Sequence, residues 1–365
     1  MRFLQIESAS GLLLLFFALA AFMLSNSPWA QAFELAWNTQ VGLQVGTLEF
    51  TRSFREWIND GLMTLFFFVV ALELKRQLVF GALNTPRMAA LSISAALGGM
   101  IIPALIYLVM QSGEPGENGW GTVMATDTAF VIGCLALLGT RIPKSLRVFM
   151  LSLAIIDDIG AILVVAIGYS SHIVWWPLMA ATLGLMIIRA MAKLGFRSFS
   201  LFFLMGGLIW LAVDASGIHA TVTGVILGLM TPARRWVAET AARETLSPVE
   251  RLEFILHPWV GFFIMPLFAF ANAGLPIVIN DLDYSVALAV IASFVLGKPL
   301  GILLFSWLTE RLHIGTRPPG LSWRLLTGGS LLAGIGFTMS LFIADMAFSE
   351  SLIGSAKLGI FLASI

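Results

Sequence analysis

Two adjacent aspartates, Asp157 and Asp158, interrupt the apolar run LRVFMLSLAIIDDIGAILVVAIGY (146–169), whose only other charge is Arg147 near its start. From Arg147 to Asp157 is about 15 Å along a helix rising ~1.5 Å per residue. That is half of a hydrocarbon layer ~30 Å thick, so the pair falls near a bilayer midplane. One charged side chain there costs roughly 2.5–3.5 kcal/mol on insertion scales, and two neighbours cost more. A proton, a cation or a buried base offsets that cost.

The rest of the chain fits a membrane interior. It is 58% hydrophobic and 12% charged, against about 25% charged residues in soluble proteins. The apolar runs are long and continuous, unlike the alternating ~10-residue segments of a barrel, so the expected fold class is all-α and polytopic. Net charge is zero, which points to no acidic or basic partner, and nucleic acid is not expected. Cys134 is the only cysteine, so no internal disulfide can form.

Twelve spans are expected, near 11–25, 60–80, 88–110, 121–140, 146–169, 174–194, 199–214, 217–231, 252–276, 284–309, 323–344 and 351–365. They form a single transmembrane domain over 1–365. The first span has Arg2 in front and Ala30-Gln31-Ala32 behind, which resembles a signal-peptide cleavage site. An uncleaved first helix is the preferred reading. The last span is shorter than the ~20 residues a crossing needs, as though the sequence stopped inside a helix.

Basic residues orient these spans. Seventeen of the 21 Lys and Arg fall on one side: Arg2; Lys75, Arg76 and Arg87; Arg141, Lys144 and Arg147; Arg189, Lys193 and Arg197; Arg234, Arg235, Arg243 and Arg251; Arg311, Arg317 and Arg324. The opposite connections carry Glu114, Glu117, Asp214, Asp281, Asp283, Asp345 and Glu350. Only the first opposite loop, 36–57, breaks the pattern, with Arg52 and Arg55. A cytoplasmic N-terminus follows. Within that loop, VGLQVGTLEF (41–50) suits a small β-hairpin or an irregular loop equally well.

Two other spans place charge at depth: Asp127 and Lys298 each fall within a few ångströms of the midplane. With the pair they form the only deep set of Asp, Glu, Lys or Arg expected, three negative and one positive. One Lys cannot neutralise three carboxylates, so the cluster attracts protons and cations. Adjacent helical residues point ~100° apart, so Asp157 and Asp158 cannot do the same job. One would face Lys298 or a neighbouring helix, the other a water-filled access route. Carboxylates this close titrate as a coupled pair, as proton exchange requires.

Two spans are interrupted by small or polar residues: Thr126-Asp127-Thr128 in one, and Gly334-Ile335-Gly336 followed by Thr338 in the other. These read as discontinuous helices, whose ends expose partial charges at depth. Asp127 would compensate helix N-termini and Lys298 helix C-termini. The plainer reading of Gly334 and Gly336 is close packing alone. The broken spans are the middle members of two triplets, 88–169 and 284–365, which fits an inverted repeat. His219 and His257 lie near span ends, where helix-end hydrogen bonding is the simpler reading. Glu73 and Glu253 sit at the basic-loop ends of their spans, either as solvated charge or as a pH-sensing cluster.

At these residues the chain closely resembles the NhaA-type sodium/proton antiporters. The matching stretches are NDGLMTLFFFVVALELKR (59–76), ATDTAF (125–130), LAIIDDIGA (153–161), SGIHATVTGV (216–225), LHPWV (256–260), PLFAFANAG (266–274), GKPLGI (297–302) and GIGFTMSLFIA (334–344). The resemblance implies twelve helices with both termini in the cytoplasm, and two broken helices crossing near the middle of a bacterial inner membrane. It implies that Asp157 and Asp158 bind the ion, with Asp158 indispensable and Lys298 paired to Asp157. Asp127 and Thr126 would shape and balance the site. The outer hairpin would join two subunits into a homodimer, and Glu73 and Glu253 match positions linked to pH response. The chain departs from the best-known members at Thr128, where they carry an apolar residue, and at Gln77, Glu250 and Phe254.

The expected function is therefore a pH-regulated, electrogenic antiporter that exports Na+, and Li+ as well, in exchange for H+. No cofactor is expected, and no enzymatic activity. Two rival readings share these residues. An intramembrane aspartyl protease would use Asp127 and Asp157, but its motifs are absent. A sodium-coupled symporter of an organic anion would use Lys298 to hold the anion.

Overall fold

Helices form wherever the sequence sustains an apolar run, because in hydrocarbon only a helix satisfies its own backbone. The computed structural model describes residues 2–45, 48–170, 173–196, 198–233, 247–276 and 283–364. Arg197, Arg234, Arg235, Arg243, Asp281 and Ile365 of the sequence reading lie outside them. Among the described residues there are fourteen helices: α1 (Arg2–Ser25), α2 (Ala30–Asn38), α3 (Phe54–Phe80), α4 (Pro86–Gln111), α5 (Thr128–Leu137), α6 (Lys144–Gly168), α7 (Trp175–Lys193), α8 (Phe199–Ala215), α9 (Val222–Met230), α10 (Pro248–Asn272), α11 (Tyr284–Arg311), α12 (Trp323–Leu332), α13 (Phe337–Ala347) and α14 (Glu350–Ser364). A 3₁₀ segment, Glu117–Val123, leads towards α5.

Every expected span has a helical counterpart, but not all are long enough to cross alone. Six qualify by length and apolarity: α3, α4, α6, α7, α10 and α11. α12 and α13 qualify as one span bent by 48°. The Ala9–Ser25 part of α1 passes the same test only together with α2, which turns away by 115°. α2 was not expected. The spans expected at 121–140, 199–214, 217–231 and 351–365 are occupied by shorter helices.

The loop 36–57 contains a hairpin. β1 (Gln40–Val45) pairs antiparallel with β2 (Leu48–Ser53), from Gln40 opposite Ser53 to Val45 opposite Leu48; residues 46–47 lie outside the description. The two basic residues that broke the charge pattern are neutralised here. Arg52 bridges Asp60 of α3 and Asp214 of α8, and Arg55 pairs with Glu34 of α2 at 3.0 Å. The Trp57 indole donates to the Val41 carbonyl at 2.8 Å and stacks on Trp210. The hairpin is thus pinned to α3 and α8, and α3 in turn to α2.

α4 lies along α11, α3 along α9, α1 along α5 and α10, and α7 along α8. The α4–α11 contact is backbone to backbone. A Cβ on Gly98 would meet the Gly301 carbonyl oxygen, and one on Gly301 would meet that of Gly98. Gly297 lies against Pro103 in the same way, 2.8 Å from a Cβ position to its Cα. Small residues permit such approach in membranes, where van der Waals packing and not apolar burial drives association.

Pro266 and Pro299 follow two of the three π-helical turns among the described residues, Val260–Ile264 and Ser293–Gly297. Proline lacks the N–H and clashes with the carbonyl four residues back, so the helix widens there. The second of these turns ends at Lys298.

Gly301→Val should therefore separate α4 from α11 and cost about 1–3 kcal/mol as an overpacked contact. Thermal unfolding in detergent should show the fall, while Gly207→Ala, which meets nothing within 4 Å, should leave the midpoint in place.

Candidate functional site

Two stretches of non-helical backbone meet inside the bundle. One is Ala125–Asp127, between the 3₁₀ segment and α5; the other runs from Ala333 to Gly336, between α12 and α13. The Asp127 amide donates to the Ile335 carbonyl at 2.8 Å, so the breaks are hydrogen-bonded to each other. Gly334 and Gly336 serve the break and the packing together. A Cβ on Gly334 would come 2.9 Å from the Phe294 carbonyl oxygen, and one on Gly336 would strike the Phe294 ring. The break lies directly against α11.

Asp127 is fully buried and caps two helices at once. Oδ1 accepts from the Phe130 amide of α5 at 3.0 Å. Oδ2 accepts from the Thr338 amide and hydroxyl of α13 at 3.0 and 2.5 Å. Orphan N–H groups at a helix start attract an anion, and here two starts share one.

The aspartate pair sits midway along α6 with both side chains buried. As the ~100° step requires, the two carboxylates diverge. Asp157 Oδ2 accepts from Lys298 Nζ at 2.7 Å and from the Thr126 hydroxyl at 2.5 Å. Lys298, 1% exposed, also donates to the Thr126 oxygen at 2.5 Å. Among the described residues Lys298 makes no direct bond to a carbonyl at a helix end; it reaches the close of α12 only through Thr126. That end is met by Thr126, whose hydroxyl lies 3.1 Å from the Ala333 carbonyl at the close of α12. Asp158 Oδ2 accepts from the Thr128 hydroxyl at 2.7 Å. Asp157 Oδ1 and Asp158 Oδ1 are both buried with no hydrogen-bond donor. Such oxygens are costly unless something binds them.

The four pH-response candidates do not assemble together. Arg76 of α3 joins Glu73, at 3.7 Å, to Glu253 of α10, at 2.7 Å, and His257 lies one turn beyond Glu253 within reach of the Arg76 charge. His219 is beside Asp214 and Arg52 instead, at the hairpin end. Asp60 and Arg76 are about 24 Å apart along α3, so the two groups occupy opposite ends of the bundle. Of the departures, Glu250 accepts from the amide and hydroxyl of Ser247 and so caps α10, Gln77 is buried, and Phe254 is exposed.

One buried cation escaped the sequence reading. Lys357, in the middle of α14, is 9% exposed and feels the charges of Asp345, Glu34 and Arg55. Asp345 accepts from Asn59 at 3.0 Å, and Asn59 in turn pairs with Asn272. Treating 351–365 as an incomplete span hid the central position of Lys357.

The family described as Na+/H+ antiporter 1 has a sequence model that matches residues 1–365. A Na+/H+ antiporter NhaA of Acidiphilium cryptum is 55% identical, across 100% of this chain and 88% of its own. One of Rhizobium meliloti is 53% identical, across 100% and 91%. Among solved structures, the sodium proton antiporter MjNhaP1 of Methanocaldococcus jannaschii is similar in fold, with a TM-score of 0.55 at 12% identity, over 100% of this chain and 95% of that one. With a match over its full length and relatives above half identity, this chain belongs to the Na+/H+ antiporter 1 family.

Proposed function

We propose that this protein exports Na+, and Li+ as well, in exchange for H+ across a bacterial inner membrane, with its N-terminus in the cytoplasm. Asp157 and Asp158 carry either protons or the cation, and only the loaded forms switch access between the two sides. The observation that supports this most is the pair of buried, unpartnered oxygens, Asp157 Oδ1 and Asp158 Oδ1, beside the crossing of two broken helices. A hard cation takes oxygen ligands, and a proton satisfies the same atoms. No second titratable acid has to be recruited.

The rivals fit this geometry poorly. Lys298 is engaged by Asp157 and Thr126, so it is not presented to an organic anion. Both Asp127 oxygens are taken by helix-start donors, so Asp127 does not offer the free carboxylate a protease dyad needs. The homologues' names also give the symporter no support.

In this reading Lys298 is coupled to the load. When a cation draws Asp157 away, the ammonium loses its counter-charge in a dry interior, where an isolated charge is neutralised. Lys298 or Asp157 then supplies a second proton, and more charge enters as H+ than leaves as Na+. The basic-end group Glu73, Arg76, Glu253 and His257 ties α3 to α10, and regulation by cytoplasmic pH would act there. The hairpin joins two copies into a dimer.

Asp158→Asn should insert normally and abolish Na+/H+ exchange in proteoliposomes, because an amide neither releases a proton nor offers a full charge. Near-normal exchange by this variant, read by fluorescence dequenching, would sink the proposal.

Wild-type exchange in valinomycin-clamped vesicles should speed up when the side that receives the protons is made negative. Lys298→Gln should then become electroneutral or inactive if Lys298 carries the second proton, and should stay electrogenic if Asp157 does.

Deleting residues 42–49 should shift the purified protein from dimer to monomer by light scattering and leave exchange in place. An unchanged mass refutes the hairpin's role.

A further inference from the structure

The two threonines flanking Asp127 are engaged differently. Thr126 is fully buried. Its oxygen accepts from Lys298 Nζ at 2.5 Å, and its one proton is shared between Asp157 Oδ2 at 2.5 Å and the Ala333 carbonyl at 3.1 Å. A hydroxyl has one proton and two lone pairs. Here the proton is spent and an ammonium occupies the acceptor side, so a second cation on this oxygen would be repelled at close range.

Thr128 makes a single hydrogen bond among the described residues, donating to Asp158 Oδ2 at 2.7 Å. Because its proton points at Asp158, both lone pairs point elsewhere. The side chain is only partly buried, whereas Thr126, Asp127 and Asp158 are buried completely or nearly so. It is thus less enclosed than its neighbours and lies next to the carboxylate that keeps an unpartnered oxygen, Asp158 Oδ1.

We propose that the Thr128 hydroxyl oxygen is a ligand of the transported cation, held in place by the proton it gives to Asp158, and that it biases the site towards Na+ over Li+. This rests on the reading of Asp157 and Asp158 as the cation-binding pair. Each carboxylate has one open oxygen, which leaves the protein's share of a Na+ shell thin. A neutral hydroxyl adds an oxygen without adding charge. Selectivity between hard cations follows ligand number and cavity size. Na+ is larger than Li+ and accommodates more oxygens, so losing one ligand weighs more on Na+.

The test compares Thr128→Val, which keeps the branched shape and removes the oxygen, with Thr128→Ser, which keeps the oxygen. Exchange is measured in proteoliposomes with Na+ alone and with Li+ alone, on the alkaline plateau of the pH profile. Thr128→Val should raise the KM for Na+ by about tenfold, the loss of one contact to a charged group. The KM for Li+ should rise less, and the maximal rate should hold. Thr128→Ser should keep the wild-type preference. Thr128→Ala and radiosodium binding to the purified protein give the same comparison should the valine variant not insert. Equal changes for the two cations, or a displaced pH profile with unchanged KM values on the plateau, would overturn the ligand role and leave Thr128 as a hydrogen-bond donor only. A serine variant that behaves like valine would assign the effect to packing and overturn it too. Asp158→Asn is run alongside: persistent exchange there defeats the antiporter mechanism itself, whereas wild-type selectivity in Thr128→Val defeats only this inference.

Discussion

Asp127 is the point on which the interior depends. Breaking two helices inside a membrane protein leaves backbone donors and acceptors where water cannot reach them, and each unsatisfied group costs on the order of 1–3 kcal/mol. One carboxylate meets the starts of both α5 and α13, and the Asp127 amide closes the Ile335 carbonyl. The two breaks are therefore stable only together. Their crossing presents Thr126 and Thr128 to the two faces of α6 on which Asp157 and Asp158 lie. Without the shared cap there would be no fixed place for either hydroxyl.

Depth was legible in the sequence, and direction was not. Hydropathy is a one-dimensional record, so counting residues from the ends of each apolar run placed Asp127, Asp157, Asp158 and Lys298 in one layer. It could say that the adjacent aspartates diverge, because that follows from helical geometry alone. It could not say which partner each would meet, since those partners lie on distant segments, 31 residues from Asp157 for Thr126 and 141 for Lys298. The same limit explains Arg76. On the sequence it was one basic residue among many, and only the packing of α10 against α3 turns it into the link between Glu73 and Glu253. The hairpin was undecided because alternation over so few residues suits an irregular loop as well. What holds it is the Arg52 bridge to Asp60 and Asp214, again a contact between distant segments.

Charge is handled in two ways along the membrane normal. At the ends of the bundle, ions are paired one against another: Arg52 with two aspartates, Arg76 with two glutamates, Arg317 with Glu310. Partly exposed pairs of this kind contribute little each, and their effect here is to tie elements together. Beside the two breaks, among the described residues, one cation, Lys298, faces three carboxylates. Asp127 is met by helix dipoles and Asp157 by Lys298, which leaves Asp158 with a single hydroxyl. The imbalance is thus localised on one side chain, the one beside the partly accessible Thr128. A uniformly neutralised centre would hold its ions permanently; a centre short of one charge has reason to take a cation and to give it up.

The position of Lys298 is set by backbone, which bears on how such a site could exchange its load without losing its shape. Pro299 widens the helix just ahead of it, and the glycine contacts at Gly297 and Gly301 bring α11 against α4 with no side chain between them. A close-packed interface of that kind resists gradual deformation. On the proposed function, the backbone that carries Lys298 would hold still while a cation draws on Asp157, and the ammonium would either keep its partner or lose its charge. A mobile helix would instead let the ion pair persist in altered geometry and uncouple proton release from cation binding, so the close packing of α4 against α11 favours the coupled outcome.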